Sequence, residues 1–189
     1  MTRPTAAPEQ NWTLLESREV SDHRVFRVCS DRYRFEPTGA EREYVVLSAP
    51  DWVNVVPVTP DGQVVLVRQY RHGIRGSSLE IPGGIVDPCE SPEVAAVREL
   101  REETGYAPER IRLLGRVHPN PAIQANYCHM YLAEGCRQVS QPRPDPFEKM
   151  EVLLRPLAEI PELIRGQEIT HGLVLNAFGF LGLAVTAGS

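Results

Sequence analysis

Glu99, Glu102 and Glu103 stand at positions i, i+3 and i+4 of the stretch GIVDPCESPEVAAVRELREETGY, which runs from Gly84 to Tyr106. Successive side chains of a helix turn by about 100° per residue, so these three carboxylates share one face. Like charges at that spacing destabilise a helix by about 0.2–0.5 kcal/mol per pair, and something must offset the repulsion. A hard divalent cation held by oxygen ligands would do so. The alternative is a solvated acidic face beside Arg98 and Arg101, since exposed Glu is common on helices. Val94, Val97 and Leu100 fall on the opposite face and are expected in the core. Ser91 suits the N-cap, Pro92 the first helical position and Gly105 a left-handed C-terminal cap, so the helix is bounded at both ends.

The stretch resembles the Nudix box, G-x5-E-x7-R-E-U-x-E-E-x-G-U, where U is a bulky apolar residue. Gly84, Glu90, Arg98, Glu99, Leu100, Glu102, Glu103 and Gly105 match at their offsets, and Tyr106 departs mildly at the last apolar position. That context favours the metal-binding reading over the solvated face. The resemblance implies an α/β protein, a Nudix-type α/β/α sandwich with a mixed sheet, that hydrolyses a nucleoside diphosphate linked to another moiety. It implies Mg²⁺, or Mn²⁺ in its place, held by the Gly83 carbonyl with Glu99, Glu102, Glu103 and Glu148. Arg98 would orient the helix carboxylates through a salt bridge, and Glu90 would anchor that network. Relatives bring a further carboxylate from an acidic loop, and Glu148 best fits that slot. Two residues earlier, where some relatives carry a second one, stands Pro146, with Asp145 as the nearest substitute. The general base is therefore Glu148 or one of the helix carboxylates.

Three further features resemble the ADP-ribose and nucleotide-sugar pyrophosphatase branch. These are LEIPGG at Leu79–Gly84, the Q-x-R step Gln69-Tyr70-Arg71, and Pro121, sixteen residues beyond Gly105. They imply that Arg71, Glu80 and Pro121 take part in substrate binding, although Arg71 also reads as a solvated strand edge and Glu80 as half of a buried ion pair. The expected substrate is ADP-ribose or a related nucleoside diphosphate sugar, cut to a nucleoside monophosphate and a sugar phosphate. The alternatives are another Nudix substrate class (a nucleoside triphosphate, NADH or coenzyme A) or a non-catalytic nucleotide-sensing module. Such modules commonly lose box carboxylates, and all of them are kept here.

Around the box, the chain divides into an expected disordered tail at 1–10, N-terminal strands at 11–48 and a catalytic domain at 49–189. Three antiparallel strands are expected between Trp12 and Leu47, with turns at Ser21-Asp22 and Pro37-Thr38-Gly39. Three strands alone are marginal, so they must pack on the main body or on a second subunit; the resemblance favours a homodimer. VNVVPVT and QVVLVRQY flank Pro60-Asp61-Gly62 and read as a central hairpin. Arg68 and Arg71 are expected on one side of its second strand, opposite Gln69. Strands follow at Ile111–Val117 and Tyr127–Ala133, around an ordered loop at His118–Asn126. His118 and His129, without partners at ligand spacing, read as structural. A helix is expected over Pro156–Arg165, and a last one, capped by Thr170, has apolar residues nearly all round.

At 189 residues the chain is long enough for one core of ordinary size. Its net charge of −5 argues against sequence-independent binding of a nucleic acid polymer, which needs a basic face. Cys29, Cys89, Cys128 and Cys136 show no zinc or disulfide spacing and read as reduced thiols. With no signal peptide and no apolar run long enough for a membrane, a cytoplasmic protein is expected.

Overall fold

The computed structural model describes residues 11–143 and 149–186, in two compact units. The first comprises the described residues up to Pro50 together with Asn120–Asn126. Strands β1 (Trp12–His23), β2 (Phe26–Phe35) and β3 (Ala40–Ser48) form an antiparallel sheet in chain order. Its first turn falls at Arg24-Val25 rather than Ser21-Asp22, because β1 keeps pairing through Asp22↔Arg27 and His23↔Phe26. The period of two sorts the sheet into unlike faces. One carries Trp12, Tyr33, Phe35 and Tyr44 in mutual ring contact at 4.7–6.5 Å. The other carries a ladder of ion pairs, Arg32 to Glu16 and Glu41 and Arg34 to Glu41. Asn120–Asn126 joins this unit through Leu47, whose N–H donates to Ile123 O and whose carbonyl accepts from Ala125 N.

In the second unit, β4 (Trp52–Val58), β5 (Gln63–Arg71), β6 (Gly76–Glu80), β7 (Gly83–Ile85), β9 (Arg110–Val117), β10 (Cys128–Glu134) and β12 (Met150–Pro156) make one sheet. Its path is β12-β5-β4-β10-β9, with β6 on β5 and β7 on β4. The β4–β10 pair is parallel and the others antiparallel, so the sheet is mixed. A short pair, β8 (Tyr106–Ala107) with β11 (Arg137–Gln138), stands apart. Helix α1 (Pro92–Thr104) covers one face, and α2 (Ile160–Arg165) and α3 (Gly172–Thr186) the other. Val53, Val55, Tyr131 and Ala133 pack with Ala95, Ala96 and Leu100 of α1. Val56, Leu66, Met130 and Leu132 pack with Ile160, Val174 and Ala177. Neighbouring residues of one strand thus serve opposite layers, which is why these strands read as near-continuous Val runs. This is the expected α/β/α sandwich.

The expected hairpin is only half made. Thr59–Gly62 closes the turn, with Gly62 N–H donating to Thr59 O, but β4 and β5 pair only at Val58↔Val64 before they part. The segment Gly76–Ile85 fills the split, pairing with β5 through β6 and with β4 through β7. Residues 157–159 are a 3₁₀ turn rather than the start of a helix, and α2 begins at Ile160. Leu175 N–H donates to His171 O, which makes His171 rather than Thr170 the residue flanking α3. Among the described residues, no helix is long and apolar enough to cross a membrane, and all four cysteines are free.

Candidate active site

Helix α1 forms where its caps predict. The Ser91 side chain accepts from Val94 N–H, Pro92 opens the first turn, and Gly105 closes it at φ 78° with its N–H on Arg101 O. The orientation differs from the sequence expectation. Val94 is 58% exposed, and the buried arc is Ala95, Ala96, Leu100, Glu103 and Thr104. The small alanines let the helix lie close to β4, and Glu103, seven residues after Ala96 and three after Leu100, shares their side. The carboxylates therefore do not oppose the core; they border it.

The reason for two consecutive glycines follows from β7. A Cβ on Gly84 would lie 2.4 Å from Glu99 Oε1, so the Glu99 carboxylate occupies the space a side chain would take. A Cβ on Gly83 would lie 2.3 Å from Val53 O and 2.4 Å from Asn54 Oδ1. Each glycine thus admits a polar group from one face of the sheet. Pro82 O accepts from Val55 N–H, whereas Gly83 N–H turns the other way and donates to Glu103 Oε2 at 3.1 Å. In a strand the N–H and C=O of one residue point to the same side, so the Gly83 carbonyl is also directed away from β4.

Arg98 joins the loop to the helix. Its Nε and Nη2 donate to Glu90 at 3.0 and 2.9 Å, and Nη2 also donates to Ile85 O at 3.0 Å. Its Nη1 donates to Glu99 at 2.7 Å and to Glu102 at 3.2 Å. One guanidinium thus offsets the repulsion among the box carboxylates. The hydrogen bonds Arg98 donates to Glu90 first, then those it donates to Glu99 and Glu102, raise its pKa against the opposing effect of burial. Reciprocally, Arg98 holds the Glu90 carboxyl below its ordinary value.

Arg71 and Glu80 meet in a two-pronged ion pair, Nε to Oε1 at 2.9 Å and Nη2 to Oε2 at 2.6 Å. The Glu80 side chain is 3% exposed and that of Arg71 is 44% exposed. Burial pushes the Glu80 carboxyl up, but the hydrogen bonds and charge of Arg71, aided by His171 and Ser78, outweigh it and leave the pKa lowered. Arg68 and Arg71 are three residues apart, so the period of two sends them to opposite faces, not to the one side expected. Arg68 pairs instead with Glu151 of β12 at 3.0 Å.

Pro121 lies in the turn Pro121–Ile123 of the first unit. Glu148 and Asp145 lie outside the described residues. His129 Nε2 stands 2.9 Å from Asp51 Oδ2, and the His118 ring lies 4.1 Å from that of Tyr127. Both histidines are engaged locally. The sequence reading missed Asn54, a buried amide in β4 whose only signal was one polar residue in VNVVPV. It also missed the backbone of residues 139–143, which closes the C-terminal end of α1 through Val139 and Ser140 N–H on Gly105 O and Arg143 N–H on Glu102 O.

Among the described residues, no three His, Cys, Asp or Glu side chains are gathered at metal-ligating spacing. Glu103 is held by Gly83, and Glu99 and Glu102 by Arg98. The donors are nonetheless all oxygen, three carboxylates and a carbonyl directed away from its neighbouring strand. That set fits a hard divalent cation.

The NUDIX domain model matches residues 49–175. A CMP-5'-(N-acetyl-N-hydroxy-3-aminopropyl)phosphonate hydrolase of Streptomyces rubellomurinus is 35% identical, over 91% of this chain and 83% of that protein. An ADP-ribose pyrophosphatase of Bacillus subtilis is 29% identical, over 78% of this chain and 80% of its own length. Among solved structures, an ADP compounds hydrolase superposes with a TM-score of 0.84 at 24% identity, covering 95% of this chain and 97% of that one, a likeness of fold.

Proposed function

The chain belongs to the Nudix family of hydrolases, and from that premise we propose that it cleaves the diphosphate bond of ADP-ribose or a related nucleoside diphosphate sugar with the aid of Mg²⁺ or Mn²⁺. The observation that carries this reading is the diglycine Gly83-Gly84, with Glu103 bound to its N–H and Glu99 filling its side-chain space, both from one helix. Water adds to one phosphorus, the bridging P–O bond breaks, and a nucleoside monophosphate and a sugar phosphate leave.

Glu99, Glu102, Glu103 and the Gly83 carbonyl would hold the cation, with Glu148 as a further ligand or as the base. A divalent cation held there neutralises diphosphate charge and lowers the pKa of water. Glu90 and Arg98 fix the rotation of the helix carboxylates. Arg71 presents its guanidinium to the substrate, and buried Glu80 sets its direction. Pro121 is proposed as a substrate contact on the strength of its offset from Gly105. We further propose that the aromatic face of the β1–β3 sheet, with Trp12 40% and Leu14 50% exposed, is covered by a second copy of the chain. A second substrate reading, a nucleotide joined to a phosphonate, is favoured by the 35% identity to the Streptomyces hydrolase.

The test is a substrate panel with Mg²⁺, its products separated by chromatography. ADP-ribose should give AMP and ribose phosphate, and a chelator should abolish the reaction. Glu103→Gln keeps an acceptor for Gly83 N–H but loses the charge, and should lower kcat by roughly two orders of magnitude or more with the fold intact. Tight binding without turnover across ADP-ribose, ADP-glucose, GDP-mannose, UDP-sugars, NADH and CMP-linked phosphonates would replace the enzyme by a sensing module.

A further inference from the structure

Asn54 lies in β4 directly opposite Gly83 in register, and its side chain rests where a Gly83 Cβ would stand, with Oδ1 at 2.4 Å from that position. The other side chains on its face of β4, Trp52, Val56 and Val58, belong to the apolar layer beneath α2 and α3. Its neighbour in β10, Met130, is fully buried. Packing therefore calls for an apolar residue at position 54, and an amide stands there. Asn54 is only 9% exposed, and its Nδ2 has no hydrogen-bond partner among the described residues. Buried amide donors are almost always paired, so one left open beside the residue whose own N–H holds Glu103 points to an acceptor supplied from outside the chain.

We propose that Asn54 is a specificity-determining residue of the active site, its carboxamide N–H donating to an oxygen that the bound nucleoside diphosphate brings to the Gly83 side of the split sheet. This rests on the functional reading above. The residue acts in recognition: the lone donor discriminates between a ligand carrying an oxygen at that point and one lacking it. A site built to donate a hydrogen bond rejects the analogue that cannot accept it, because the donor is then left buried and unpaired. On this account Asn54 contributes to KM and leaves the reacting atoms to the residues of α1.

The test compares Asn54→Leu, of similar volume and without a donor, with Asn54→Thr, which keeps a hydroxyl donor in a residue suited to a strand. Four quantities are read: the melting temperature of the free protein, KM and kcat for ADP-ribose with Mg²⁺, and the Kd of ADP-ribose by calorimetry in the Glu103→Gln background. In Asn54→Leu, KM and Kd should rise about tenfold or more, about 1.4 kcal/mol per tenfold, with kcat within about a factor of three. Its free melting temperature should be unchanged or higher, since an unpaired donor is removed, and Asn54→Thr should recover most of the lost affinity. If Asn54→Leu does not fold, Asn54→Val asks the same question at smaller volume. A lowered melting temperature with unchanged KM and Kd would mean that a buried water or an internal partner satisfies the amide, and would overturn the inference alone. Absence of both turnover and binding in the wild type would sink the functional reading and this inference with it.

Discussion

Arg71 and Glu80 show how one exposed cation makes a buried anion tolerable. The Glu80 carboxyl sits below its ordinary value of 4.5 although burial pushes the other way, because Arg71 hydrogen-bonds and attracts it. A depressed carboxylate contributes stability that is present above the unfolded pKa and lost as pH falls through the folded one. Arg71→Ala reverses the sign: burial then acts almost unopposed, the Glu80 pKa rises, and the charged form becomes a liability at neutral pH. Removing one partner of a buried pair costs about 3–5 kcal/mol, and the partial exposure of Arg71 places this one at the lower end. Urea unfolding should show the variant's deficit near about pH 7 and a smaller deficit near about pH 5, where Glu80 can take up a proton. A deficit that does not change with pH would refute this account of the pair.

At the scale of elements, helix α1 is positioned by what its neighbours leave empty. The two glycines that border it should fail in different ways when given a methyl group. At Gly84 the clash is with the far end of the Glu99 side chain, 2.4 Å from the new Cβ, and that end can swing away. Gly84→Ala should therefore keep a near-normal melting temperature while losing most of its kcat, because Glu99 is displaced. At Gly105 the new Cβ would meet Ser140 O, a backbone atom, at 2.1 Å, at a residue with φ +78°. The left-handed conformation alone costs about 1–2 kcal/mol, so Gly105→Ala should lower stability and loosen the 139–143 segment that closes the helix. Melting temperature and kcat measured on both variants separate the two cases; equal loss of stability in each would show that the Glu99 side chain is not free to move.

For the whole molecule, the N-terminal sheet matters because its two faces differ so sharply. Its charged face satisfies itself through the Arg32, Arg34, Glu16 and Glu41 pairs. The aromatic face leaves Trp12, Leu14 and Tyr44 exposed, more apolar surface than three strands alone readily support in water. If a second copy covers it, Leu14→Glu should convert a dimer to a monomer in sedimentation velocity, with the Nudix unit still folded by circular dichroism. A wild-type protein that sediments as a monomer at tens of micromolar would remove the dimer.

Local chemistry was legible in the sequence. The ends of α1 follow from Ser91, Pro92 and Gly105, which act within a turn of themselves, and the strands follow from runs of Val and the turn at Pro60-Asp61-Gly62. The spacing of Glu99, Glu102 and Glu103 and the box around them identified the family, because a motif of fixed offsets needs no long-range contact to be read. Contacts between distant segments were not legible. Which arc of α1 is buried depended on how closely Ala95 and Ala96 approach β4, so Val94 was wrongly placed inside. That β4 and β5 part to admit Gly76–Ile85, and that an amide donor at Asn54 lies open beside Gly83, are consequences of pairing across tens of residues. Periodicity and capping are properties of neighbouring residues, whereas burial and pairing are settled only when the layers close on one another.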